Sequence, residues 1–337
     1  MQQLFPFSDY WWLYAVFTGG LLGLLALDLG VFHRKPHQVG FREAAGWCAV
    51  WVSLALLFNV ALYVYAIWAF SRDAGLSVMP GFDARAAARQ VALEFLSGYL
   101  VEYSLSVDNI FVFVLVIGYF AVPLHYQHRV LFYGIMGALV FRAAFIALGS
   151  ILMRFHWIVL FFGAFLIFTG VHMAISSGEP VRPERNFVIR SFRRLFPVTN
   201  ELHEYHFFVR KDGRIWATPL AAALLCLEAS DIIFAIDSVP AIFALTREPL
   251  IVFTSNTFAI LGLRSLYFML GGAVERFHLL RYGLAAILVF VGLKMVWLDQ
   301  WFGGKFPVGM SLLLIGFMLA ISVWLSLAFP KRHLAGS

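Results

Sequence analysis

Three acids, Glu228, Asp231 and Asp237, stand within ten residues of each other inside an otherwise apolar run from about residue 215 to 245. A carboxylate at the centre of a bilayer costs at least about 2.5–3.5 kcal/mol on the gentlest insertion scale. Such acids must be paired, protonated or bound to a cation. Ser238 and Pro240 follow at once, and proline, which lacks an N–H, disrupts a helix over the preceding turn. The same design occurs upstream at Glu102, Asp108 and Asn109. Each stretch holds an acid, five intervening residues and a second acid: Glu102 with Asp108, and Asp231 with Asp237. Intramembrane acids beside an interrupted helix are what a cation pathway needs.

The candidate ligands are therefore Glu102, Asp108, Asn109, Glu228, Asp231, Asp237 and Ser238, all of them oxygen donors. Such a set suits Mg, Ca or Mn rather than Zn or Cu(I). In a regular helix, residues six apart lie about 9 Å apart along the axis and about 120° around it. Two acids so placed share one ion only if the helix breaks. With such breaks, Asp108 and Asp237 are expected at similar depth in one shared site, with Glu102 and Asp231 on opposite sides of it. Ser104, Ser106, Ser230, Ser238 and Pro240 mark where breaks are expected, because Ser/Thr and neighbouring helices re-satisfy freed backbone groups. Arg142 and Arg264 are the expected counter-charges when no cation is bound. A purely structural set of ion bridges is the competing reading, but the core acids outnumber the arginines.

Several weaker candidates accompany these. Asp28 near the end of the first span and Asn256 near the start of the seventh are accessory donors, each also explicable as an interfacial or packing group. Asn59 reads as a helix–helix hydrogen-bond former. His172 and Lys294 read as interfacial or snorkelling groups near inner helix ends. His203 and His206, with Glu201 and Glu204, could make a second metal site, although a solvated loop face explains them better. Cys48 and Cys226 both fall within spans, which gives no case for a disulfide.

The elements that must position these residues are membrane spans. The chain is 61% hydrophobic and 13% charged, with a mean hydropathy of +0.83. Runs of about 20 apolar residues, enough to cross a bilayer core, recur along it. Nine spans are expected, at roughly 10–32, 45–70, 91–120, 129–152, 156–176, 215–245, 250–271, 279–299 and 306–329. Residues 71–90 read as a loop with a short surface helix, and the first span as a retained helix rather than a signal peptide. With the N-terminus outside, the inner segments carry sixteen Lys and Arg and the outer ones six, as the positive-inside bias requires. The basic balance then follows from topology and gives no case for nucleic acid.

Residues 142–173 match 264–295 at a constant offset of 122, through Arg142/Arg264, Gly149/Gly271, Phe155-His156/Phe277-His278, Phe168/Phe290, Gly170/Gly292 and Met173/Met295. The acid pairs match at an offset of 129. Each unit holds three spans, 3–5 and 6–8, and an odd number makes successive copies run in opposite directions. The expected fold is thus an all-α polytopic membrane protein with an inverted three-plus-three helix repeat. Its divisions are a two-helix addition with a surface segment (1–90), repeat 1 (91–176), a polar cytoplasmic loop (177–214), repeat 2 (215–299), and a last helix with its tail (300–337).

At Glu102…Asp108-Asn109, Glu228-x-x-Asp231…Asp237-Ser238-Val-Pro240, Thr254-Ser-Asn256…Gly262-Leu-Arg264 and His206-Phe-Phe-Val-Arg210, the chain resembles the TerC family. The likeness is closest to its Alx-type members and runs from about residue 10 to 330. It implies an inner-membrane protein of a bacterial type, associated with manganese export in the Alx-like branch and kin to lysine-exporter-related transporters. The family's name comes from tellurite resistance, but tellurite is an anion ill-suited to an acid-lined site. The expectation is a non-enzymatic secondary transporter of Mn²⁺ with no resident cofactor, in exchange for protons. The alternative is a non-transporting scaffold in a metal- or tellurite-stress complex, docking partners through 177–214. Intramembrane aspartyl proteolysis needs a Gly-x-Gly-Asp context that neither stretch supplies, and no nucleotide-binding loop is present.

Overall fold

The computed structural model describes residues 4–27, 40–153, 155–175, 199, 206–211, 214–270, 279–302 and 306–329. With every backbone N–H and C=O needing a partner inside lipid, the apolar runs fold as helices. These are α1 (Phe7–Leu27), α2 (Phe41–Arg72), α3 (Ala84–Tyr119), α4 (Leu124–Leu152), α5 (His156–Ile175), α6 (Pro219–Phe243), α7 (Pro249–Leu270), α8 (Leu280–Leu293) and α9 (Val308–Ala328). A π-helical turn, Lys294–Leu298, extends α8 into Asp299–Trp301. Eight of these nine are long and apolar enough to cross a membrane. The remaining one, α1, is interrupted by a non-helical Tyr10 (φ −114°, ψ 15°). The chain is a multi-pass, all-α integral membrane protein, with one small exception. Residues Phe208–Lys211 (β1) and Arg214–Ala217 (β2) form an antiparallel hairpin before α6, within the expected polar loop.

The structure corrects two expectations about α3 and its surroundings. The expected short helix forms as a single turn at Ala74–Ser77, but the span starts earlier than residue 91: Asp83 caps the start of α3 by accepting from the Arg85 N–H at 2.9 Å. The result is one helix of 36 residues, about 54 Å long and well beyond a bilayer core. Nor are α3 and α6 broken at their acids. Ser97, Ser104 and Ser230 return their hydroxyls to carbonyls four residues back, so these hydroxyls find partners inside a helix that bends at most. Pro240 lies in the last turn of α6, where its missing N–H costs the bond to the carbonyl four residues back, but the helix still runs on to Phe243.

Helices α2, α3 and α7 pack together, with α1 joined to them through rings such as Phe17 against Phe58 and Phe253. Within the bundle, α3 runs parallel to α7, with Gly98 facing Ser255 and Tyr103 facing Gly262. Likewise α4 runs parallel to α6, with Gly134 facing Leu224 and Gly149 facing Phe243. By contrast α5 and α8 are antiparallel. The Arg281 guanidinium donates to the Met173 carbonyl at 2.8 Å, Gly170 faces Ala285 and Gly163 faces Gly292. At the centre α7 is buried on nearly all sides, while α9 and α5 are largely exposed on the outside of the bundle.

Lys294 departs from its expected role. It is buried rather than snorkelling, and its ammonium donates to the Ala244 carbonyl at the C-terminal end of α6, 3.9 Å from Asp299. The antiparallel pairing puts Lys294 at the opposite end of the bundle from His172, so the matched pair does not share an inner surface.

Candidate functional site

Helices α3, α4, α6 and α7 meet around one side chain. The Arg142 guanidinium, from the middle of α4, donates to Glu102 Oε1 on α3 through Nη1. It holds both oxygens of Asp231 on α6, Nε to Oδ2 at 3.3 Å and Nη2 to Oδ1 at 3.0 Å. Its Nη1 also reaches Ser238 Oγ at 3.3 Å and Asn256 Oδ1, on α7, at 3.4 Å. Arg142, Glu102, Asp231, Ser238 and Asn256 are all at most 3% exposed. Such a fork on a carboxylate is the strong, directional geometry that guanidinium favours. It satisfies groups that would otherwise be very costly in hydrocarbon.

Burial here still leaves polar atoms over. Glu102 Oε2, Ser106 Oγ, Asn256 Nδ2 and Glu228 Oε2 are buried without a hydrogen-bond partner among the described residues. Two carboxylates share one guanidinium, so this group of side chains keeps an excess of negative charge and of oxygen donors. Among the described residues, no three His, Cys, Asp or Glu side chains converge as a metal cage. The physical reason is that Arg142 itself stands between Glu102 and Asp231.

The remaining candidates are distributed around this centre. Asp237 is half-buried and faces α5 instead, where Thr169 Oγ1 donates to its Oδ1 at 3.5 Å. This follows from the unbroken helix: six residues after Asp231, it points about 120° away. The expectation that Glu102 and Asp231 lie on opposite sides of a central Asp108–Asp237 pair is therefore corrected. Glu102 and Asp231 lie together on one guanidinium. Asn109 and Arg264 are buried. Glu228 rests against the backbone of α4 at Gly137. Asp28, Glu201, His203, Glu204 and the side chain of Asp108 lie outside the described residues, and His206 is exposed.

Sequence reasoning missed three contributors. Thr169 and Gly137 carry no charge and no motif, so nothing in the chain marks them. Glu94 on α3 is buried, accepting from Gln90 at 2.8 Å and from Thr246 in the α6–α7 turn. A lone acid near a helix start reads as surface until its neighbours are known.

The integral membrane protein TerC family matches residues 87–334. An uncharacterized membrane protein of Myxococcus xanthus is 48% identical over 333 residues, covering 98% of this chain and 97% of its own. A protein of Escherichia coli K12 named Alx, described as a proposed membrane-bound redox modulator, is 44% identical over 312 residues and 92% of each chain. A membrane protein of Rickettsia bellii is 37% identical over 281 residues, 83% of this chain and 86% of its own. No solved structure matches. With most of its length matched by the family and its relatives covered nearly end to end, the chain belongs to the TerC family of integral membrane proteins.

Proposed function

We propose that this protein is a secondary transporter that exports a divalent cation, Mn²⁺ by our assignment, through an acidic site at the junction of two inverted repeats. The observation that carries this reading is Arg142 held between Glu102 and Asp231. A cationic side chain bridging two acids from equivalent helices acts as a surrogate for a transported cation. In this reading a divalent ion displaces the guanidinium and takes Glu102, Asp231, Ser238 and Asn256 as oxygen ligands. Arg142 returns between the acids after release, so the empty carrier never faces lipid with two bare carboxylates. Protons on the acids would serve the same return step.

The inverted repeat finds support in the α5–α8 contact. Under the offset of 122, Gly163 corresponds to Ala285 and Gly170 to Gly292. A Cβ on Gly292 would meet the Gly163 carbonyl at 2.6 Å, and one on Gly170 the Ala285 carbonyl at 2.7 Å. Exchanging the repeats turns each contact into the other, which is the signature of an isologous twofold interface. The parallel pairs α3–α7 and α4–α6 exchange in the same way. Transporters built so carry their site at the repeat interface and work by moving one half against the other.

We further assign the protein to a bacterial-type inner membrane, N-terminus outside and C-terminus cytoplasmic. The name of the Escherichia coli relative speaks of redox modulation; the two cysteines described here are buried, Cys48 on α2 and Cys226 on α6. A scaffold role would have no need of a buried excess of acids. The test is Mn²⁺ uptake into everted membrane vesicles, compared with Mg²⁺, Ca²⁺ and Fe²⁺. Glu102→Gln and Asp231→Asn should each abolish most uptake at normal protein level. Unaltered uptake in both would return the cluster to a structural role.

A further inference from the structure

One acid of the set is seated in a way that its own helix does not explain. Glu228 lies one turn before Asp231 on α6, and its carboxylate rests on bare backbone of α4. A Cβ placed on Gly137 would lie 2.0 Å from Glu228 Oε1, 2.3 Å from its Cδ and 2.4 Å from Oε2. No real side chain fits there. Any residue but glycine at 137 and this position of the carboxylate are mutually exclusive.

Two unfavourable features coincide at this contact. A glycine inside a helix is about 1 kcal/mol less favourable than alanine. A buried carboxylate oxygen with no donor adds to that cost, and Glu228 Oε2 is such an atom among the described residues. Neither is required for close packing. At Gly134, one turn earlier on α4, a Cβ would meet only Leu224 Cδ1 at an ordinary 3.8 Å. The space kept open at 137 therefore serves the carboxylate, not the helix pair. Along α4, Gly137 precedes Arg142 by five residues, about 7.5 Å of helix rise. Along α6, Glu228 precedes Asp231 in the same direction, since the two helices run parallel.

We propose that Gly137 is a positioning residue that holds the Glu228 carboxylate on the α4–α6 seam as the first ligand a divalent cation meets before the Glu102–Asp231 pair. This rests on the transport reading and adds to it the approach side: the cation comes from the end of the bundle where α6 begins. An oxygen without a donor at that point can bind the ion without first breaking a hydrogen bond.

The clash at 137 is with the far end of a flexible side chain, so Gly137→Ala should fold while moving the carboxylate aside. The test is Mn²⁺ uptake by everted vesicles over a range of concentrations, with protein level and melting temperature measured alongside. Gly137→Ala should raise the half-saturating Mn²⁺ concentration about tenfold, with the maximal rate and melting temperature little changed. Glu228→Asp, shorter by one methylene, makes room for the new methyl. Gly137→Ala/Glu228→Asp should thus match Glu228→Asp alone, whereas Gly137→Ala/Glu228→Gln, of unchanged length, should not recover. If Gly137→Ala proves unstable, recovery of its protein level by Glu228→Asp but not by Glu228→Gln supports the same seat. An unchanged half-saturation in Gly137→Ala, or a Gly137→Ala/Glu228→Asp variant clearly worse than Glu228→Asp alone, overturns the proposal and leaves transport standing. Failure of the unsubstituted protein to take up any of the divalent ions overturns the transport reading itself and the cation role of Glu228 with it.

Discussion

Arg142 is the residue on which the site turns, because it links Glu102, Asp231, Ser238 and Asn256. Removing one partner of a buried ion pair typically costs about 3–5 kcal/mol, since the other charge is left uncompensated. Arg142→Ala should therefore lower unfolding stability in detergent by that order and reduce protein level. Arg142→Lys should not restore it, because an ammonium is a point charge and cannot fork onto Asp231 while reaching Glu102. Glu102→Gln and Asp231→Asn should be coupled, their combined effect departing from additivity by roughly 0.5–3 kcal/mol, as residues sharing one partner do. Strict additivity in that double-mutant cycle would mean that Arg142 serves only one of them. Pairing of arginine with acid was legible from charge alone: lipid forbids lone charges, and both types recur at matched positions. Which acids would pair was not legible. Broken helices would bring Asp108 and Asp237 to the centre, but α3 and α6 run through their acids unbroken.

At the scale of elements, spans and their order could be read from hydropathy, because a bilayer admits few alternatives to the helix. The contacts between spans could be read only in part. Gly170 and Gly292 stood out as matched positions, but the repeat gave no sign that α5 and α8 would lie against each other with these glycines touching the opposite backbone. Here a side chain would collide with a carbonyl oxygen rather than a flexible chain end, so the helices themselves must separate. Gly170→Val and Gly292→Val should each destabilise the protein by about 1–3 kcal/mol, the usual cost of overpacking. Similar losses are expected in both, because the two contacts exchange under the repeat. Gly316→Ala on α9, where nothing lies within 4 Å of the added methyl, should leave the melting temperature unchanged or slightly raised. A large loss at Gly170 with none at Gly292 would remove the support for a twofold relation.

For the whole molecule the decisive quantity is the number of crossings between loops. Three helices long and apolar enough to span, α3, α4 and α5, separate the turn at Ala74–Ser77 from the polar segment that begins after Ile175. Three crossings put those two segments on opposite faces, whatever the absolute orientation. The orientation itself comes from charge: residues 177–214 carry eight Lys and Arg, and 71–90 carry three. Cytoplasmic loops retain an excess of basic residues because moving them across the membrane is disfavoured. Thiol-labelling tags placed at about residue 78 should report the outer side, and tags at about residue 188 the cytoplasmic side. In the proposed orientation α6 begins at the cytoplasmic face and carries Glu228 before Asp231, which would set the direction of the proposed transport along it. A cation leaving the cell would then meet the carboxylates in the order in which the helix presents them. Labelling of both sites from one side would break the odd-span repeat, and with it the antiparallel setting of α3 and α6. Labelling from opposite sides but in reversed sense would keep the architecture and turn Glu228 into the last ligand on an export path, so the tags at 78 and 188 decide between entrance and exit.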